Sequence, residues 1–194
     1  LYLTVAGIGR LRRAGLSLGA IRPGDRILVS GPVGDHGIAV MFARAEFDLE
    51  GDVRSDSAPV ARLVAALDQI EDVRFLRDPT RGGFVTVGHE IAQACGVTVR
   101  IDEMALPVRE TVRGVCEILG YDPTYLACEG RVVAVVSPET ANDVLGAWQA
   151  LPEGREAAVV GRIEPGASRV VMTTELGGER IVPELEDDPL PRIC

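Results

Sequence analysis

The chain has 194 residues, of which 46% are hydrophobic and 4% aromatic, and its formal net charge is −9. This length allows one sizeable domain or two small ones, built on an aliphatic core. The acidic balance argues against nucleic acid as the main partner, because phosphates are bound by basic faces. The sequence shows no apolar run of about 18 residues and no signal peptide, so we expect a cytoplasmic protein without membrane contact.

In chain order, the first predicted element is a strand at residues 1–9, followed by a polar connection to residue 21. Hydrophobic periodicity then predicts alternating strands and helices. Strands are expected at 26–30, 73–76, 97–101, 131–136, 157–163, 169–174 and 180–182, and helices at 38–43, 57–70, 84–95, 107–119 and 138–151. This order predicts an α+β domain with a layered α/β/α arrangement.

The four cysteines are too irregularly spaced for a zinc site, and a reducing compartment would keep them as free thiols. Cys95 and Cys116 fall on apolar helix faces and are expected in the core. Cys194 is the last residue of an acidic, proline-bearing tail at 184–194. Prolines favour an extended, solvated arm, whose thiol could reach several places. The alternative is a frayed terminus whose cysteine has no function.

Three charged loops lie at strand ends or helix starts, where α/β folds place ligands. The first contains Asp35 and His36, the second spans residues 78–83, and the third contains Cys128, Glu129 and Gly130. In the first loop, Asp35 is a good helix N-cap, and the glycine-rich turn could bind an anion. A tight turn without a ligand explains the same pattern equally well.

The second loop combines a carboxylate, a hydroxyl and two glycines at one helix start: Asp78, Thr80, Gly82 and Gly83. Asp78 could hold Mg²⁺ for a nucleotide phosphate. Alternatively, Asp78 and Thr80 only cap the helix.

Two side chains of the other loops are equally ambiguous. Glu129 could be a general base with a raised pKa in a dry site, or a solvated turn residue. His36 could carry a proton or be a hydrogen-bonded turn histidine.

Four separated segments, in this order, resemble one family. They are SGPVGDHGIA at 30–39, RDPTRGG at 77–83, PVRE with VRG at 107–114, and the terminal PRIC at 191–194. Together they look like HypE, the hydrogenase-maturation carbamoyl dehydratases. This family belongs to the superfamily of aminoimidazole ribonucleotide synthetase and selenophosphate synthetase. The resemblance implies the fold of the C-terminal domain of those proteins.

The resemblance also implies a reaction. A carbamoyltransferase, HypF, would load a carbamoyl group on Cys194, and ATP would activate the carbamoyl oxygen by phosphorylation. Loss of phosphate and protons would leave a thiocyanate, with Glu129 as the base on the nitrogen. The cyano group would pass to iron held by HypC and HypD, for nickel–iron hydrogenase. Asp78 would help to bind Mg²⁺-ATP, beside Thr80, Gly82 and Gly83.

Family members also carry an N-terminal domain with most of the nucleotide site and the dimer interface. Residues 1–9 resemble only its last strand, residues 10–183 the C-terminal domain, and residues 184–194 the tail. We therefore expect this chain to bind ATP poorly and not to dehydrate by itself. The strand at residues 1–9 could pair with a second copy and form a homodimer.

Two alternatives belong to other functional classes. The chain could be a non-catalytic module that docks maturation partners, with Cys194 as a passive acceptor. A selenophosphate- or purine-type synthetase is disfavoured by the tail, because those families do not end on a substrate cysteine.

Overall fold

The computed structural model of the chain describes residues 4–9, 11, 13–44 and 53–186. The described residues build one mixed sheet with helices against it. The strands are β1 Arg26–Val29, β2 Val73–Arg77, β3 Val97–Asp102, β4 Val133–Val136, β5 Ala158–Pro165, β6 Arg169–Thr173 and β7 Glu179–Val182. The helices are α1 Asp35–Ala43, α2 Ala61–Ala65, α3 Gly83–Cys95, α4 Glu110–Leu119 and α5 Ala141–Gln149.

The sheet has the strand order β2-β4-β1-β5-β3-β6-β7. Its neighbouring strands are antiparallel, except for the parallel pair β3–β6. Strand β1 lies inside the sheet, with Leu28 opposite both Ala134 of β4 and Val159 of β5. A mixed sheet with interspersed helices confirms the predicted α+β class.

Both faces of this sheet are covered, because alternate side chains of a strand point to opposite sides. Ile27 and Val29 belong to the core cluster under α3, whereas Leu28 belongs to the cluster under α2 and α5. Trp148 of α5 is fully buried in the second cluster, and its indole N–H donates to the Leu63 carbonyl at 3.0 Å. These helices therefore produce the predicted α/β/α layers.

A third, smaller cluster joins α1 and α4 to the segment before β4. It contains Ile38, Met41, Val112, Cys116, Leu126 and Ala127. A Cβ added at Gly37 would lie 2.9 Å from the Leu126 side chain, so α1 approaches this segment closely. The packing holds the start of α1 beside the loop that leads into β4.

Three predicted elements differ from the structure. Residues 4–9 are exposed and form no strand, because no other described residues pair with them; whether they belong to a preceding domain stays a prediction. Helix α2 ends at Ala65, and the guanidinium of Arg13 binds the following carbonyls of Leu67 and Ile70. Helix α4 begins at Glu110 rather than at 107, since Arg109 is extended and the Pro107 carbonyl accepts from Val33.

Among the described helices, none has the length and apolar character needed to cross a lipid bilayer.

Three of the four cysteines are described, and they are free thiols. Cys116 is buried as predicted, whereas Cys95 is half-buried, and its thiol donates to the Leu18 carbonyl at 3.2 Å. Burial raises the pKa of Cys116 to about 11 and that of Cys128 to about 12. At pH 8, about one Cys128 thiol in 10⁴ is then ionised, and the thiolate is the reactive form.

We therefore expect iodoacetamide at pH 8 to leave Cys116 and Cys128 unmodified in the native protein. Both should react once urea unfolds the chain, and peptide mass spectrometry would quantify each site. Rapid native-state labelling of Cys128 would contradict the buried position of this thiol.

Gly83, the first residue of α3, lies against the backbone that precedes β4. A Cβ at this position would lie 2.5 Å from the Thr124 carbonyl oxygen and 2.7 Å from that of Leu126. Its φ of +64° is also a conformation that favours glycine. The close approach of these two segments therefore requires glycine.

Gly83→Ala should lower the free energy of unfolding by about 2–4 kcal/mol, through backbone strain and overpacking. Gly114→Ala is the matched control, because a Cβ at Gly114 in α4 meets no atom within 4 Å. The control should stabilise the protein by up to about 1 kcal/mol through helix propensity. Urea unfolding of both variants measures the difference, and equal effects would show that the close approach does not matter.

Candidate active site

The three loops expected to carry chemistry meet on one short segment, residues 127–128. The backbone N–H of Cys128 donates to the Pro79 carbonyl at 3.0 Å, which ties in the 78–83 loop. Its thiol accepts from the Gly34 N–H at 3.4 Å, and the Gly37 N–H donates to the Ala127 carbonyl at 3.2 Å. Cys128 is therefore a buried structural contact between loops that lie far apart in the sequence.

Asp35 was predicted to cap α1, and this prediction is wrong. The N-cap is Gly34, whose φ of 87° is left-handed, and the Asp35 side chain turns to arginine instead. Its Oδ2 accepts from Arg109 Nε at 3.0 Å and lies 3.6 Å from Arg131 Nη2. Burial raises the pKa of Asp35 above its usual value, although both guanidiniums act in the opposite direction.

Arg131, directly after the third loop, is the central cation of this region. Its Nε donates to the Pro32 carbonyl at 2.9 Å and lies 3.4 Å from Asp56 Oδ2. Its side chain is 11% exposed, and those of Asp35 and Asp56 are 3% and 0% exposed. One guanidinium thus joins two buried carboxylates, which is how proteins accommodate buried charge.

Glu129 is half-buried, and its backbone is fixed by Asp56. The Glu129 N–H donates to Asp56 Oδ1 at 3.0 Å. At the next residue, Gly130, a Cβ would lie 1.9 Å from the Asp56 carbonyl oxygen, so only glycine fits there. The segment at 53–56 therefore lies directly against the loop of the candidate base.

The 78–83 loop does not have the predicted capping arrangement. Helix α3 is capped by Gly82, at a φ of 66°, without a side-chain hydrogen bond. Instead, the Thr80 hydroxyl donates to Asp78 Oδ2, and Arg77 Nη1 donates to Asp78 Oδ1 at 2.8 Å. Asp78 and Thr80 contact each other, while Gly82 and Gly83 leave backbone N–H groups at the start of α3, where an anion can bind.

The described residues do not form a metal site with three or more protein ligands. Asp78 is 57% exposed and already paired with Arg77. No group of three or more His, Cys, Asp or Glu side chains within residues 4–44 and 53–186, so far as described, could hold a metal ion. Asp78 therefore offers a single carboxylate ligand at most.

His36 lies in the first loop, and its Nδ1 is 2.9 Å from the Ser55 hydroxyl. Its Nε2 is buried and has no hydrogen-bond partner in the described part of the chain. The contact joins α1 to the 53–56 segment and assigns His36 no chemical role.

Cys194 lies outside the described residues, but the start of the predicted tail does not. The Pro183 carbonyl accepts from the Tyr125 hydroxyl at 2.7 Å and lies 3.0 Å from His89 Nε2. A Cβ at Gly82 would lie 3.3 Å from Leu185, so the tail begins beside the 78–83 loop. Cys194 lies eight positions after Glu186, the last described residue.

Sequence reasoning missed Asp56, Arg109 and Arg131. Arg109 lies inside the PVRE segment that carries the resemblance, and Arg131 is a charged residue at the start of an otherwise apolar strand. Both features were available as signals. Asp56 had none, because it lies between two serines in a polar stretch.

Comparison with known proteins shows the family of this chain. Residues 22–173 match the family model described as AIR synthase related protein, C-terminal domain. The carbamoyl dehydratase HypE of Azotobacter vinelandii is 45% identical over all of this chain, which covers 58% of that protein. The chain thus spans little more than half the length of this curated relative.

Solved structures show the same likeness. A HypE in complex with ATP superposes with a TM-score of 0.83 at 41% identity, over 90% of this chain and 54% of that one. HypE from a HypE–HypF complex gives a TM-score of 0.84 at 39% identity, over 88% of this chain and 56% of that one. The resemblance to HypE predicted from the four segments is confirmed, and the chain belongs to the AIR synthase related protein family, in the C-terminal domain of that family.

Proposed function

We propose that this chain carries the C-terminal part of a carbamoyl dehydratase for hydrogenase maturation. In this proposal, Cys194 accepts a carbamoyl group, and ATP-dependent dehydration converts it to a thiocyanate. The thiocyanate would supply the cyanide ligands of the iron in nickel–iron hydrogenase. The observation that carries the proposal is that Asp56 holds the Glu129 loop at the point where the three loops meet. The chain that contains this loop is 45% identical to a HypE.

The proposed reaction consumes one thiocarbamate, the S-carbamoyl group on Cys194, and one ATP. It yields a thiocyanate, ADP, phosphate and a proton. The ATP γ-phosphoryl group accepts the carbamoyl oxygen, which then leaves as phosphate. The C≡N bond forms as two protons leave the nitrogen, and Glu129 is the base for one of them. The thiol of Cys194 holds the carbon throughout and becomes the leaving group when the cyano group is transferred.

We propose that ATP binds at the start of α3, where Gly82 and Gly83 present backbone N–H groups beside Thr80 and Asp78. A HypE solved in complex with ATP supports ATP as the nucleotide. The resemblance also implies a lysine that assists Glu129, and this sequence contains no lysine, since all 20 of its Lys and Arg residues are arginines. In this proposal, the lysine and the remaining metal ligands belong to an N-terminal domain. Residues 1–9 would be the last strand of that domain.

The partners belong to the same proposal. A solved HypE–HypF complex supports HypF as the carbamoyl donor, and the HypC–HypD complex would receive the cyano group. A homodimer is proposed on the resemblance alone. Because ATP and these partners are required together, we place the reaction in the cytoplasm.

A second function has one observation in its favour. Asp78 is exposed and paired with Arg77, and the described residues do not form a metal site with three or more protein ligands. By itself, this chain would then act as a docking module with Cys194 as a passive acceptor.

Replacing the matching part of A. vinelandii HypE by this chain gives a chimera that tests the proposal. With HypF, carbamoyl phosphate and ATP, the chimera should gain one carbamoyl group and then lose the mass of one water. Cys194→Ala should show neither change in intact mass. A chimera that is carbamoylated at another residue would contradict the acceptor role.

In the same chimera, Glu129→Gln should accumulate the carbamoylated form and slow the loss of water by about 10²–10⁴-fold, the range for a general base. Glu139→Gln is the control, because Glu139 is exposed and lies at the start of α5. Normal dehydration in the Glu129 variant would exclude Glu129 as the base and favour the docking function.

The 194-residue chain alone should bind Mg²⁺-ATP only weakly, because Asp78 is a single, already paired carboxylate. Isothermal titration should show no saturation in the micromolar range, whereas the chimera should bind. Micromolar affinity of the chain alone would contradict this expectation.

A further inference from the structure

A cavity of about 320 Å³ lies beside the Glu129 loop, between the start of α1, the start of α4 and the 53–56 segment. Five of its eight lining residues are charged. It is lined by Asp35, Val53, Arg54, Ser55, Asp56, Arg109, Thr111 and Arg131. A water molecule occupies about 30 Å³ in the liquid, so the space exceeds that of a single bound water several-fold.

Two carboxylate oxygens at this cavity need donors. Asp35 Oδ1 and Asp56 Oδ2 are buried and accept no hydrogen bond in the described part of the chain. The 3.4 Å contact from Arg131 Nε to Asp56 Oδ2 is ionic only, because the single Nε proton is donated to Pro32. Buried acceptors are normally satisfied by the protein, by water or by a ligand, so two at one cavity mark a place where a bound molecule would donate hydrogen bonds.

The same wall supplies donors for an oxygen atom. A guanidinium has five N–H groups, and the contacts of Arg109 with Asp35 and Glu156 use Nε and Nη2. A suitable ligand therefore carries an N–H donor group next to an acceptor oxygen. A metal ion fits less well, because arginine side chains lie beside the two carboxylates and would repel a cation.

We infer that this cavity binds the carbamoyl group, with the amide N–H groups donated to Asp35 and Asp56 and the carbonyl oxygen held by arginine. The inference rests on the proposed function, and the position of the cavity supports it. Asp56 accepts from the Glu129 N–H through its other oxygen, so the bound nitrogen would lie next to the loop of the base. Asp35 and Asp56 are then substrate-binding residues of the reaction.

The test uses two small ligands that differ only at the nitrogen. S-carbamoyl-N-acetylcysteine carries the amide, and S-acetyl-N-acetylcysteine has a methyl group in its place. In NMR titrations of the isotope-labelled chain, the carbamoyl compound should shift the signals of the cavity residues. The acetyl compound should bind at least about tenfold more weakly, as expected when charge-assisted hydrogen bonds are lost.

Asp35→Asn and Asp56→Asn should each remove this preference for the carbamoyl compound, whereas Asp143→Asn, on α5, should keep it. The comparison of the two ligands in the unchanged chain remains decisive if a variant does not fold. Equal binding of both ligands, or binding of neither, would overturn the inference. If the chimera still formed thiocyanate in that case, the proposed function would stand and only the cavity assignment would fail.

Discussion

A buried guanidinium between two buried carboxylates organises the candidate site. Arg131 approaches Asp35 at 3.6 Å and Asp56 at 3.4 Å, and it donates to the Pro32 carbonyl. Charges removed from water are costly unless paired, and removing one partner of such a pair costs about 3–5 kcal/mol. Because Asp56 in turn holds the Glu129 backbone, this one interaction sets where the candidate base lies.

Close backbone contacts complete the arrangement and relate it to the tail. Gly83 brings α3 against residues 124–126, and Gly130 brings the Glu129 loop against Asp56. Tyr125, in the segment that Gly83 contacts, donates to the carbonyl of Pro183, directly before the tail. The candidate base and the start of the arm that ends in Cys194 are therefore fixed to the same part of the fold. This suits a reaction in which the acceptor thiol travels and the base stays in place.

The cavity beside Glu129 extends this division of roles. Two of its carboxylate oxygens accept no hydrogen bond from the residues that the structure describes, and proteins keep such acceptors most often at functional sites. If the cavity binds the carbamoyl group, the ligand that satisfies these oxygens is the group to be dehydrated. Binding and proton removal would then take place on adjacent sides of Asp56.

Much of the fold was predictable, because the aliphatic runs and helical periodicity that define β1, β4 and α3 are local patterns. The segment at 4–9 was not, because a strand also requires a pairing partner. The loops were identified as candidates, but their contacts were not. Asp56 and Glu129 are 73 residues apart, and no local pattern relates them. For the same reason, Asp35 was expected as a cap, and capping was the alternative to metal binding for Asp78. In the structure, the distant Arg109 binds Asp35 and the neighbouring Arg77 binds Asp78.

Infrared spectroscopy is the sharpest test of the proposed reaction, because a thiocyanate has a nitrile stretch that a carbamoyl group lacks. The chimera is incubated with HypF, ATP and carbamoyl phosphate carrying ¹²C or ¹³C. We predict a nitrile band that shifts with the isotope and is absent from the Glu129→Gln and Cys194→Ala variants. A fully carbamoylated chimera without that band, or an unchanged band in the Glu129 variant, would contradict the proposed dehydration.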